Sequence, residues 1–221
     1  MPNVPPPVTD RLIYVLHAIA CVPRSYATVA RSLDGIDWAR HGAALYGAWR
    51  SQIGRPRDEL TAITVWPRDA DLALLQNLIE GIADTRHVTS EPLYATLRPT
   101  SPTPPQRQGN YAFRWFELPQ QHWEEFLSLC AAAWPGFESA YDSQVIGLWC
   151  CAKDTPGRVR TLLLTRRPDL AMWERSKIPT GAAENDVRNQ LSRRYDLCDD
   201  TWVYTSTLLT ATDRTDDARW T

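Results

Sequence analysis

Three side chains in this sequence could do acid–base or oxyanion chemistry if the fold brought them together: His17, Arg114 and Arg166. An imidazole exchanges a proton near neutral pH. A guanidinium holds a carboxylate or a developing oxyanion through paired donors. Strand alternation is the reason to group them, because successive residues of a strand face opposite sides. Tyr111, Phe113 and Trp115 form one apolar row suited to packing under helices, so Ala112, Arg114 and Phe116 face the other way. Aligning Tyr14 with Phe113 places Ile13, Val15 and His17 in that second row. On two later strands, Thr64 and Trp66 match Leu164 and Arg166. If the second row lines a cavity, His17, Arg114 and Arg166 are its catalytic candidates. Trp49, Trp66, Phe116, Trp149 and His41 are then its ligand-binding candidates. The bland alternative is that His17 ends a strand at the rim and the arginines reach solvent.

The elements that must position these residues come in a repeat. Gly47-Ala48-Trp49 returns as Gly147-Leu148-Trp149, and Ser51 to Trp66 aligns with Cys151 to Arg166 without a gap. In the first copy Leu12 to Ala20, Ala44 to Gln52, Leu60 to Trp66 and Leu93 to Arg98 read as strands. Pro23 opens a helix whose apolar face is Tyr26, Val29, Ala30 and Leu33, and Asp69 to Ile82 reads as a second helix. In the second copy Tyr111 to Glu117, Val145 to Ala152, Val159 to Arg166 and Trp202 to Leu209 read as strands. The helix after Pro119 has the apolar face Trp123, Phe126, Leu127 and Cys130. A longer helical region broken at Pro179 and Gly181 shows Val187, Leu191 and Tyr195 at helical spacing. Each copy is β-α-β-β-α-β, a ferredoxin-like unit. The organisation is a tail over 1–10, repeat one over 11–98, a Pro-rich linker over 99–109, repeat two over 110–211 and a tail over 212–221. Each sheet carries helices on one face only, and a bare apolar face is an aggregation hazard. The expected architecture is therefore α+β, with two tandem ferredoxin-like repeats forming one intramolecular α/β barrel. Divergence of the repeats, with Trp66 against Arg166 and His41 against Tyr141, predicts a single asymmetric cavity. Any homodimer would form through outer surfaces.

The series His41-Gly42, Gly47-Ala48-Trp49, Gly54 and a strand ending in Trp66 resembles the NIPSNAP family, a branch of the dimeric α/β-barrel superfamily. Repeat two keeps Gly147 and Trp149 but has Tyr141 and Arg166 at the other two points. The resemblance implies the fold. It also implies a superfamily whose members include monooxygenases, lyases, isomerases, cyclases and haem enzymes, and it carries no catalytic motif over to particular residues.

Composition excludes several classes. With 24 basic against 26 acidic residues the net charge is −2, which gives no case for nucleic acid or an anionic membrane. No apolar run approaches the roughly 20 residues of a membrane span. GxSxG, GxGxxG and Walker motifs are absent, and so is any metal-ligand pair beyond the three-residue spacing of His122 and Glu125, which reads as a solvated helix face. Ten tryptophans point to a large core or an aromatic cavity. The expected function is a cofactor-independent small-molecule enzyme. It would act on an aromatic or polyketide-like acid by proton transfer, as an isomerase, cyclase or lyase. The alternatives are a non-catalytic NIPSNAP-type binding or assembly protein, or a haem-binding barrel. The expected partner is an aromatic, anionic small molecule. Five cysteines without a CxxC pair suggest reduced thiols and a cytoplasmic setting. The protein should run identically on reducing and non-reducing gels after thiol trapping, and a mobility shift would contradict the reduced state.

Overall fold

The computed structural model describes residues 11–152 and 155–214. The tail over 1–10 and the residues from 215 onward lie outside the described residues. Repeat one consists of β1 (Leu12–Cys21), α1 (Tyr26–Asp34), β2 (Ala44–Ile53), β3 (Glu59–Pro67), α2 (Leu72–Glu80) and β4 (Thr85–Arg98). Repeat two consists of β5 (Asn110–Pro119), α3 (Trp123–Ala140), β6 (Gln144–Cys151), β7 (Arg158–Arg167), α4 (Leu170–Arg175), α5 (Ala182–Asp196) and β8 (Asp200–Leu208). The long helical region of repeat two is thus two helices, parted around Pro179 and Gly181 as the sequence suggests. The stretch from Pro99 to Gly109 holds no helix or strand. Hydrogen bonds join the strands in the order β1-β3-β2-β8-β5-β7-β6-β4, a closed order drawn from one chain. This is the α+β architecture of tandem ferredoxin-like repeats.

The chain divides into two compact units. Among the described residues, one holds Ala95–Thr100 and Gly109–Val203; the other holds residues 11–94, Ser101–Gln108 and residues 204–214. In the repeat-one unit, Ile13, Val15 and Ile19 of β1 share a core with Leu60, Ala62 and Trp66 of β3. Val29 and Leu33 of α1 and Leu75 and Ile79 of α2 cover them. Burying each of these aliphatic side chains contributes about 1.5–3 kcal/mol. Asp71 starts α2 by accepting from the Ala73 and Leu74 amides at 2.9 and 3.4 Å.

In the repeat-two unit, α3 and α5 cover β5 and β7. Phe116 of β5 meets Phe126 of α3 edge-on at 5.1 Å and Tyr195 of α5 at 6.0 Å. The two helices approach closely at Gly136, where an added Cβ would lie 2.6 Å from a Val187 methyl. The residue is glycine because α5 occupies the space a side chain would need.

These contacts correct the strand phase inferred from the sequence. The rows carrying His17 and Arg114 face the helices, while Tyr111, Phe113 and Trp115 face away from them. The ungapped repeat alignment is also one residue out. Trp49 pairs with Thr61 across its hairpin, whereas Trp149 pairs with Leu162. The repeat-two hairpin is therefore one residue longer. A one-residue shift turns every side chain to the opposite face. The counterpart of Trp66 is Arg167, and that of Thr64 is Thr165. Arg166 lies on the other face, opposite Tyr111.

The repeated Gly-x-Trp has a steric explanation. The indole of Trp49 rests where Gly47 would carry a side chain, its ring carbons 2.5–2.9 Å from that position. The indole of Trp149 does the same at Gly147, at 2.2–2.7 Å. Both rings are fully buried. Gly147→Ala should displace the indole and lower stability by about 1–3 kcal/mol, read as a lower urea midpoint at unchanged slope.

Candidate functional site

The same helix-facing place on the first strand of each repeat holds His17 in one unit and Arg114 in the other. His17 pairs with Ala62 and Arg114 with Leu163, and those two partners in turn face Ala48 and Leu148. The two units use the place differently.

In the repeat-one unit it is closed. His17 is fully buried, with Nδ1 2.9 Å from Ser90 Oγ and Nε2 2.9 Å from Thr64 Oγ1. The Trp66 indole N–H donates to the same Thr64 oxygen at 2.8 Å. The Thr64 hydroxyl thus bridges Trp66 and His17, and each imidazole nitrogen has a hydroxyl partner. Complete burial pushes the His17 pKa down to about 3, so the ring is neutral across the physiological range. Trp66 packs against Trp38 at 6.0 Å and His41 at 6.4 Å. His17 and Trp66 are thus buried in the helix–sheet interface, with half-buried His41 packed at its side.

In the repeat-two unit the equivalent place opens into a cavity of about 350 Å³ between the sheet and α3, α4 and α5. Strand residues Arg114 and Arg167 reach it from one side, and Arg194 and Tyr195 of α5 from the other. Arg114 donates to the Tyr195 hydroxyl and its guanidinium lies 5.6 Å from that ring. Arg167 donates to Thr165 Oγ1 at 3.1 Å, as Trp66 does to Thr64 in the other repeat, and stands 5.0 Å from the Phe137 ring. Arg194 lies 4.7 Å over Phe116 and donates to Cys130 Sγ at 3.5 Å. The helical spacing of Val187, Leu191 and Tyr195 marks the wall of α5.

No Asp or Glu lines this cavity, and among the described residues none of these three arginines has a carboxylate partner. Their charges therefore meet burial and one another. Burial pushes the Arg114 pKa down; Tyr195 offsets this and Arg194 adds to it. Burial and then the neighbouring Arg114 bring Arg167 down to about 10. The Nε–H groups of Arg167 and Arg194 are buried without a partner. Such groups carry the desolvation cost of an unmade hydrogen bond, and a bound anion would relieve both costs.

Of the sequence candidates, the cavity takes Arg114 directly and Phe116 as the surface under Arg194. Trp49, Trp149 and Arg166 are on strand faces turned away from the helices. Arg167, Arg194 and Tyr195 are not among the sequence candidates: the first because of the hairpin insertion, the second because an arginine on a helix reads as solvated, and Tyr195 because it reads only as part of the helix's apolar stripe. His122 and Glu125, the weak metal pair, are taken up by the Leu197 carbonyl at 3.2 Å and by Arg193. A histidine-ligated haem does not fit at either of these two places. Both His17 nitrogens are engaged, and no His, Cys or Met lines the repeat-two cavity.

Comparison with solved structures identifies the fold as that of the dimeric α/β-barrel proteins. An anthrone oxidase-like protein matches with a TM-score of 0.59 at 11% identity, covering 92% of this chain and 93% of its own. The chlorite dismutase of Candidatus Nitrospira defluvii, solved with imidazole, matches at 0.56 with 9% identity over 91% and 92%. A proposed monooxygenase from Lactobacillus acidophilus NCFM matches at 0.55 with 10% identity over 91% and 97%. No protein-family model and no curated protein sequence matches the chain.

Two outcomes follow. His17 has a folded pKa far below its ordinary value of about 6.5, so its contribution is complete above about pH 6.5 and is lost as pH falls toward 3. Wild-type stability should fall more steeply than that of His17→Gln between about pH 6.5 and 4.5, by up to about 1.4 kcal/mol per pH unit in urea titrations. Arg167→Met removes a buried cation without a carboxylate partner. It should leave the ligand-free protein as stable as wild type or up to about 2 kcal/mol more stable, read by the same titration.

Proposed function

We propose that this chain is a small-molecule enzyme whose site is the repeat-two cavity, acting on an aromatic or polyketide-like acid. The observation that carries this reading is three desolvated guanidiniums without a carboxylate partner, set among aromatic rings. The carboxylate or enolate oxygen of a ligand would take their paired donors. Tyr195 accepts from Arg114 and keeps its own O–H to donate to a carbonyl oxygen. Enolisation would place negative charge on that oxygen, where donors and cations already point, and the carbon-bound proton would pass to water. No step uses a cofactor. The anthrone oxidase-like neighbour supports an aromatic, polyketide-like substrate class. Membership of the NIPSNAP family, a cytoplasmic setting and a homodimer through outer surfaces belong to the same proposal, resting on the sequence features alone.

One observation favours a second reading, a non-catalytic binding protein of the same specificity. No His, Cys, Asp or Glu lines the cavity, so no side chain there is an ordinary general base.

Calorimetric titration with 2-naphthoate and its neutral amide tests the binding step. The acid should bind more tightly than the amide by about 10–100-fold, and Arg167→Met should remove that preference. Equal affinity for acid and amide would overturn the reading. Deuterium exchange into an aromatic β-keto acid, followed by NMR, separates the enzyme from the binder.

A further inference from the structure

We propose that the occupant of the repeat-two cavity carries two separated acidic groups on one aromatic body. This inference rests on the binding reading above and narrows its ligand class. The cavity is cationic at two levels. The inner level is the cluster of Arg114, Arg167 and Arg194. The outer level is Arg188 of α5, with Lys177 of the α4–α5 loop beside it. Arg188 donates to the Lys177 carbonyl oxygen and has no carboxylate partner among the described residues. That bond uses one of five guanidinium N–H donors. Lys177 is already paired with Glu174 at 3.2 Å, an exposed contact, and its ammonium lies 5.2 Å from the Trp173 ring. The nearby Glu184 is neutralised by Arg175. Arg188 is therefore the outer cation that remains free to take an anion.

The spacing of the two levels can be read from α5. The backbone sites of Arg188 and Arg194, both lining the cavity, are six residues apart, roughly 9 Å along the helix at 1.5 Å per residue. A single carboxylate cannot span that distance. A rigid two-ring aromatic with acids at opposite ends can, and its ring system has aromatic walls to meet. Trp173 and Tyr141 stand beside Lys177 and Arg175, and Phe137 and Tyr195 beside Arg167 and Arg114. Of the inner cations Arg167 and Arg194 are buried and Arg114 is half-buried, whereas Arg188 is exposed. The first acid would thus supply most of the affinity and the second the choice between ligands.

Matched titrations of the full-length protein with 2-naphthoate and 2,6-naphthalenedicarboxylate, at one fixed ionic strength, test this. The dicarboxylate should bind about tenfold more tightly in wild type. In R188A that advantage should shrink to within about twofold, while 2-naphthoate affinity stays within about twofold of wild type. The monocarboxylate thus reports, in the same variant, that the inner site is intact. Equal affinity for the two acids in wild type, or an advantage that survives R188A, overturns the two-anion proposal and leaves the binding reading standing. Binding of neither acid overturns both.

Discussion

An indole resting on a glycine sets the frame of each sheet. Trp49 and Trp149 are the largest kind of side chain, both fully buried, and each occupies the space that a side chain at the second residue before it would need. Interiors are packed at close to crystal density, so a ring of this size cannot be moved without moving its neighbours. Once the indole is fixed on the face turned from the helices, alternation fixes every other residue of that strand and of the strands paired with it. The helix-facing position of Arg114 and Arg167, and with it the cavity, follows from that choice of face.

The two repeats then put one scaffold to opposite uses. In repeat one, Trp66, Thr64, His17 and Ser90 satisfy one another's polar atoms, and the helix–sheet interface is closed. In repeat two, Arg167 and Thr165 keep the hydrogen bond that Trp66 and Thr64 make, but the histidine place is taken by Arg114. Three guanidiniums now face one another with no carboxylate partner among the described residues. A folded chain tolerates such an arrangement at a cost. Costs of this kind concentrate where a ligand is bound, because a preorganised site holds its charges in place before the ligand arrives. Gly136 contributes from a distance, since its missing side chain lets α5 come close enough to α3 for its arginines to reach the cavity.

Likeness to an anthrone oxidase-like protein, a chlorite dismutase and a proposed monooxygenase, at 9–11% identity, is a likeness of fold. The same barrel carries different chemistries in different proteins.

The repeat, the order of elements and the fold class are legible in the residues alone. Those depend on local periodicity and on turn residues such as Pro23, Pro179 and Gly181, which act within a few positions of themselves. The sequence also marked Arg114, and the stripe of Val187, Leu191 and Tyr195. Tertiary structure decided which face of each strand meets the helices, because a two-sided apolar strand satisfies either choice until helices are laid on it. It also decided that Arg167, rather than Arg166, joins Arg114. The extra residue lies in a hairpin, where sequence is permissive, and its effect appears only in the register of the paired strands. The inward direction of Arg194 likewise depends on how closely α5 packs on α3, a contact between segments some fifty residues apart that no local pattern encodes.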